Sequence, residues 1–303
     1  MQIQRLSTHK ESIVEELFKA IPDYLKRGDE VVANHFSPSQ LEKPLCLWNF
    51  EYLHLKERRR DVPVGAPAPA GGALHDCLQS IICDGADQEE ALNAAVFKLR
   101  NHNAKDELDA AKVERYIDDL PAMVEIGLDA LRSTMKAQGE IQATEEKVLG
   151  FEHPKLDIPI IGYADLTTKS SIIEIKTKWA RAGAVKKDGT RGFSVPTLPK
   201  TPDAAHVRQV AFYRACTGLP PTIIYISARD WCAFTQGNCD ELQPYNLDRH
   251  MDFLVQAAVV RQNLMKISND PKVLAGYIQP AWNDFRWNIG GEFLAEAKEI
   301  WKL

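Results

Sequence analysis

The sixteen residues from Tyr163 to Lys178, YADLTTKSSIIEIKTK, constrain this chain more than any other stretch. Two β-prone runs flank Lys169-Ser170-Ser171, which predicts two antiparallel strands joined by a tight turn. Side chains alternate along a strand, so Ile173 and Ile175 share one face while Glu174, Lys176 and Lys178 share the other. The apolar face must be covered by further structure. The charged face sets an acid beside a base, and the turn brings Asp165 of the preceding strand within reach of Glu174.

Two carboxylates that close repel each other, and an oxygen-ligated divalent ion such as Mg²⁺ removes the conflict. A lysine two residues beyond the acid stands where it can orient or help deprotonate an attacking water. That arrangement suits phosphodiester hydrolysis. The same spacing also describes a half-exposed hairpin with a charged outer face, so the surrounding sequence has to decide.

The chain's 303 residues are enough to bury a core without disulfides or metal staples. Helices are expected over 11–27, then over Gln40–Glu57 after the cap Ser37-Pro38-Ser39. A loop is expected at 63–72, where Pro and Gly concentrate, with a new helix from about Gly72. Helical periodicity runs from 87 to 138 with breaks at Asn101–Asn103 and Pro121. Strands follow at Ile141–Phe151, Ile158–Thr168 and Ser171–Trp179, as an antiparallel meander. A long polar loop, Ala180–Pro202, leads to a helix over Asp203–Thr217 stopped by Gly218, and Thr222–Ser227 forms a buried strand. Helices return from about Leu247.

Three elements lie around the hairpin in order. Upstream, Gly72-Ala73-Leu74 precedes His75, expected in about the first turn of its helix. Glu146, or its neighbour Glu145, adds an acid on the first strand. Downstream, Gln209 and Tyr213 stand four residues apart on one helical face. Taken singly, each has a bland reading as a capping, packing or surface residue.

Together Ser37-Pro38-Ser39, Gly72–His75, Gly162-Tyr163-Ala164-Asp165, Glu174-Ile175-Lys176 and Gln209–Tyr213 resemble the RecB-type clade of PD-(D/E)xK nucleases. That clade includes the nuclease domains of RecB and AddB, CRISPR-associated adaptation nucleases and phage recombination exonucleases. The resemblance spans about residues 36–228. It implies an α/β (α+β) fold with a restriction-endonuclease-like mixed sheet: a helical flank at 1–71, a core at 72–235 with a helical insertion at 87–138, and a helical flank at 236–303. It implies Mg²⁺ or Mn²⁺ held by His75, Asp165, Glu174 and the Ile175 carbonyl, with Asp165, Glu174 and Lys176 catalytic and Glu146, Gln209 and Tyr213 supporting. The activity implied is a DNA exonuclease of phage or bacterial recombination and repair, with a single-strand annealing protein as a further partner. A structure-specific endonuclease and a non-catalytic DNA-end-binding module are the alternatives. Two residues depart from the clade's pattern: Ala164 stands where the superfamily's name has proline, and Glu174 where RecB more usually has Asp.

The segment from Lys176 to Arg208 carries +6 in a chain whose net charge is −5. Bulk charge therefore excludes a histone-like binder, while a local basic loop suits DNA phosphates. Lys178, Arg181, Lys186, Lys187, Arg191 and Arg208 are the expected contacts, with Trp179 and Phe193 as candidate stacking groups. The six cysteines are scattered without a CxxC pair, so reduced thiols and no iron–sulfur cluster are expected. No GxxxxGK[ST] phosphate loop occurs, and no apolar run reaches the length of a membrane span, so a cytoplasmic protein without membrane contact is expected.

Overall fold

The computed structural model describes residues 26–27, 30–31, 35–142, 147–187, 189 and 191–302. The helix expected over 11–27 falls almost wholly outside them, as do Glu145 and Glu146. Lys26–Arg27 pairs with Glu30–Val31 as a two-residue ladder.

The core is a mixed sheet with helices on both faces. In chain order the elements before it are α1 (Pro38–Leu41), α2 (Leu45–Trp48), α3 (Pro67–Cys83), α4 (Gln88–Arg100) and α5 (Glu107–Gln138). Then come β1 (Ile141–Gln142), β2 (Lys147–Phe151), β3 (Ile160–Ala164), β4 (Leu166–Thr168), β5 (Ile172–Lys178), β6 (Arg181–Val185) and β7 (Arg191–Ser194). Last are α6 (Ala204–Thr217), β8 (Pro221–Ser227), β9 (Trp231–Phe234), α7 (Pro244–Ile267), α8 (Pro271–Leu274) and α9 (Gly291–Ile300). Five strands form the sheet in the order β9-β8-β5-β4-β1. Only the β5–β8 pair is parallel, crossed over by α6.

The expected meander forms, but each of its first two strands divides. β1 pairs with β4, and β2 pairs with β3 as a separate ladder. The division of the second strand falls at Asp165. Ile173, Ile175, Ile224 and Ile226 pack beneath α3, α4 and α5, while Ile172, Ile223 and Tyr225 pack beneath α6 and α7. A third cluster joins Trp48, Phe50 and Leu55 to Trp287, Phe293 and Ile300.

Four local expectations are corrected. The stretch 63–72 is not all loop, because Pro67 occupies the first turn of α3, where its missing N–H costs nothing. His75 accordingly sits in the third turn of that helix. Pro121 does not interrupt α5: the exposed proline lies beside the buried stripe Tyr116, Leu120, Met123, Val124 and Leu128, whose packing offsets one lost backbone bond. The run expected as one helix over 40–57 divides into α1, α2, a π-turn at Asn49–His54 and a 3-10 turn at Lys56–Asp61. The polar stretch 180–202 contains the β6–β7 hairpin. No helix among the described residues is long and apolar enough to cross a membrane, and the six cysteines are free thiols.

Candidate functional site

The site grows from the point where β4 leaves β5. The last ladder pair is Leu166 with Ile173, so the next residue back, Asp165, swings out of register. The Ile175 N–H loses its strand partner there and donates to Asp165 Oδ2 at 2.8 Å. The carbonyl of a strand residue points to the same edge as its N–H, so the Ile175 oxygen faces the gap that β4 vacates. From α3, His75 brings Nδ1 to 3.6 Å from Asp165 Oδ1.

Glu174 and Lys176 project from the opposite face of β5, toward α6. Their side chains meet at 2.5 Å. Gln209 Oε1 accepts from Lys176 Nζ at 2.9 Å, and Gln209 Nε2 donates to the Tyr213 hydroxyl at 2.6 Å. Tyr213 in turn donates to the Tyr163 carbonyl on β3. Gln209 and Tyr213 therefore brace the lysine against β3, the strand that leads into Asp165. This bracing needs β3 close to α6, and Gly162 permits it: a Cβ there would lie 2.9 Å from Phe212 Cε1.

Burial works against charge on every group, and neighbours decide the outcome. Burial alone would lower the His75 imidazole, but Asp165 outweighs it and raises His75 above its ordinary value. Burial raises the Asp165 carboxyl, yet His75, Lys176 and the Ile175 N–H hold it below the usual range. Glu174 is pushed up to about 7 by burial and by the Asp165 charge. Lys176 stays an ammonium, because Glu174 and Asp165 overcome its desolvation.

The donor set fits a hard divalent cation. Two carboxylates and a strand carbonyl are its customary oxygen donors, beside which the His75 imidazole is a nitrogen donor, and Glu174 Oε2 is buried without a hydrogen-bond donor. Among the described residues, no three His, Cys, Asp or Glu side chains converge where they could hold a metal ion.

The expected DNA contacts divide into two groups. Arg181, Lys186 and Lys187 are exposed on the β6–β7 hairpin, and Arg191 is partly exposed there, donating to the Gly183 carbonyl at 2.6 Å. Lys178 stands on the Glu174–Lys176 face with its Nζ 5.1 Å from the Tyr225 ring centre. Arg208 is placed otherwise: it is ion-paired with Glu42 and stacked on Phe253. Trp179 is core, packed on Tyr116 with ring centres 4.9 Å apart, and does not offer a free stacking face. Phe193 packs partly buried against the same cluster.

Two features escape the sequence. A cleft of about 700 Å³ opens beside Gln209 and Tyr213, lined also by Ser39, Lys43, Arg59 and Arg286. These come from segments far apart in the chain, and no spacing announces them. His206, one turn before Gln209 on α6, accepts or donates at 2.7 Å to the Tyr225 hydroxyl; its i−3 spacing from Gln209 was the available signal. Compared with known proteins, the chain matches no family model, no curated protein and no solved structure.

Proposed function

We propose that the chain is a divalent-metal-dependent deoxyribonuclease that hydrolyses phosphodiester bonds from DNA ends, on a PD-(D/E)xK core. What supports this reading is a chain of pairwise contacts around the parting of β4 and β5: His75 beside Asp165, Asp165 on the Ile175 N–H, Glu174 paired with Lys176, and Lys176 braced by Gln209. A merely solvated hairpin has no need to surround its acids with an imidazole from one layer and a braced lysine from another.

His75, Asp165, Glu174 and the Ile175 carbonyl would hold Mg²⁺ or Mn²⁺. Such an ion lowers the pKa of bound water and offsets charge on phosphoryl oxygens. Asp165 and Glu174 stand where they can align a water with the phosphorus. Lys176, kept cationic, faces negative charge that grows on a non-bridging oxygen as the water oxygen bonds to phosphorus and the ester P–O bond breaks. Gln209 fixes the ammonium's direction. The exposed cations of the β6–β7 hairpin supply sequence-blind attraction for the strand. The preference for ends, and a role in recombination, rest on the resemblance to the RecB-type clade.

The test compares linear duplex with covalently closed circles, in Mg²⁺ and in EDTA. Loss of the linear form alone, abolished by EDTA, is the expected result. Circles cut at the same rate would replace the exonuclease reading with an endonuclease on the same core. Binding without hydrolysis in either metal would leave a DNA-end-binding module.

A further inference from the structure

The face that carries Glu174 and Lys176 continues past them. Tyr225 on β8 lies level with Lys176 on β5 in the parallel register, and two polar side chains converge on it. Lys178 sets its ammonium over the ring. His206 reaches the hydroxyl with Nδ1 at 2.7 Å, and the backbone N–H of Asp203 donates to the same hydroxyl at 3.0 Å.

Those two bonds leave His206 two tautomers. The Tyr225 oxygen accepts from Asp203 and still has its own hydrogen to give, so it can donate to His206 Nδ1 or accept from it. When the hydroxyl donates, the imidazole is neutral with its proton on Nε2. Burial and the Lys176 charge work the same way, lowering His206 to about 4. In that tautomer Nε2 is a neutral donor one helical turn from Gln209, with the Lys178 charge near enough to act on the same ring.

We infer that His206 and Lys178 form a phosphate-binding subsite beside Lys176, which holds a DNA phosphodiester next to the one being cleaved. This rests on the nuclease reading for its ligand. The pair divides the work: Lys178 supplies charge, and His206 supplies a directed N–H without charge.

Fluorescence anisotropy with a labelled single-stranded oligonucleotide in EDTA tests it without needing hydrolysis. His206→Ala is expected to weaken binding about tenfold with an unchanged salt slope, and His206→Gln to recover most of the loss. Lys178→Ala is expected to weaken binding and to reduce the salt slope by about 1. In the wild-type protein, ¹⁵N spectra should show the Nε2–H tautomer of His206 and a shift of Nε2 on adding oligonucleotide, with a weaker response to inorganic phosphate. Wild-type affinity in a folded His206→Ala, an Nδ1–H tautomer of His206, or an unmoved His206 signal at saturating DNA would each overturn the subsite. His206-dependent binding without any cleavage would uphold the subsite and sink the nuclease reading. Cleavage with full affinity in His206→Ala would do the reverse.

Discussion

Ile175 gives its backbone N–H to Asp165 at the point where β4 parts from β5, so a carboxylate does the work of a missing strand. Two substitutions separate the charge of Asp165 from its acceptor role. Asp165→Asn keeps an oxygen for the N–H and should lower turnover about 10²–10³-fold with little change in melting temperature. Asp165→Ala also strands the Ile175 N–H and should cost a further 1–3 kcal/mol, roughly, in urea unfolding.

Lys176 is cationic and braced by Gln209. Single-turnover hydrolysis by Lys176→Ala should fall about 10²–10⁴-fold, while DNA affinity stays close to wild type, since the proposed DNA contacts lie on the hairpin and at Lys178 and His206. Undiminished cleavage would remove the lysine from the chemistry.

Gly162 lets β3 lie against Phe212. Gly162→Ala should destabilise the fold by about 1–3 kcal/mol through overpacking, since Phe212 is fully buried and cannot swing aside. Calorimetric melting would reveal it, and a variant as stable as wild type would show that the contact yields.

Asp109 gives an acid limb to stability. Burial would raise its carboxyl, but hydrogen bonds from the Ala66 N–H, His102 and the Lys105 N–H together hold it below the ordinary value. A carboxyl depressed in the folded state stabilises fully above its unfolded pKa, about 3.9, and loses that contribution as pH falls through the folded value. Asp109→Asn should therefore be less stable near pH 7, by about 1–3 kcal/mol. The gap from wild type should narrow below pH 4 in denaturant titrations.

Lys186 and Lys187 are exposed, whereas Arg208 is occupied by Glu42. Replacing both lysines with alanine should reduce the slope of log affinity against log salt by about 2. Arg208→Ala should leave that slope unchanged and lower thermal stability. A slope lost at Arg208 alone would return that arginine to the DNA path.

The local signals in the sequence were strong where geometry is periodic. The alternation around Glu174 fixed which side chains share a face of β5, and the spacing of Gln209 and Tyr213 put both on the lysine side of α6. Where long-range packing overrules local propensity, the sequence misled. Pro121 reads as a helix breaker but rides on a buried stripe, and Trp179 reads as a stacking group beside lysines but lies under Tyr116. Arg208 belongs to the same class, since its partner Glu42 is remote in the chain. The break at Asp165 was invisible, because nothing local says that a strand will change ladders at one residue.

The cluster that joins Trp48 and Phe50 to Trp287 and Phe293 also bears on how the molecule is made. Synthesis proceeds from the N-terminus, so those early aromatic side chains emerge long before the residues that cover them. Until residue 300 has been made, those aromatic side chains lack the neighbours that cover them in the finished cluster.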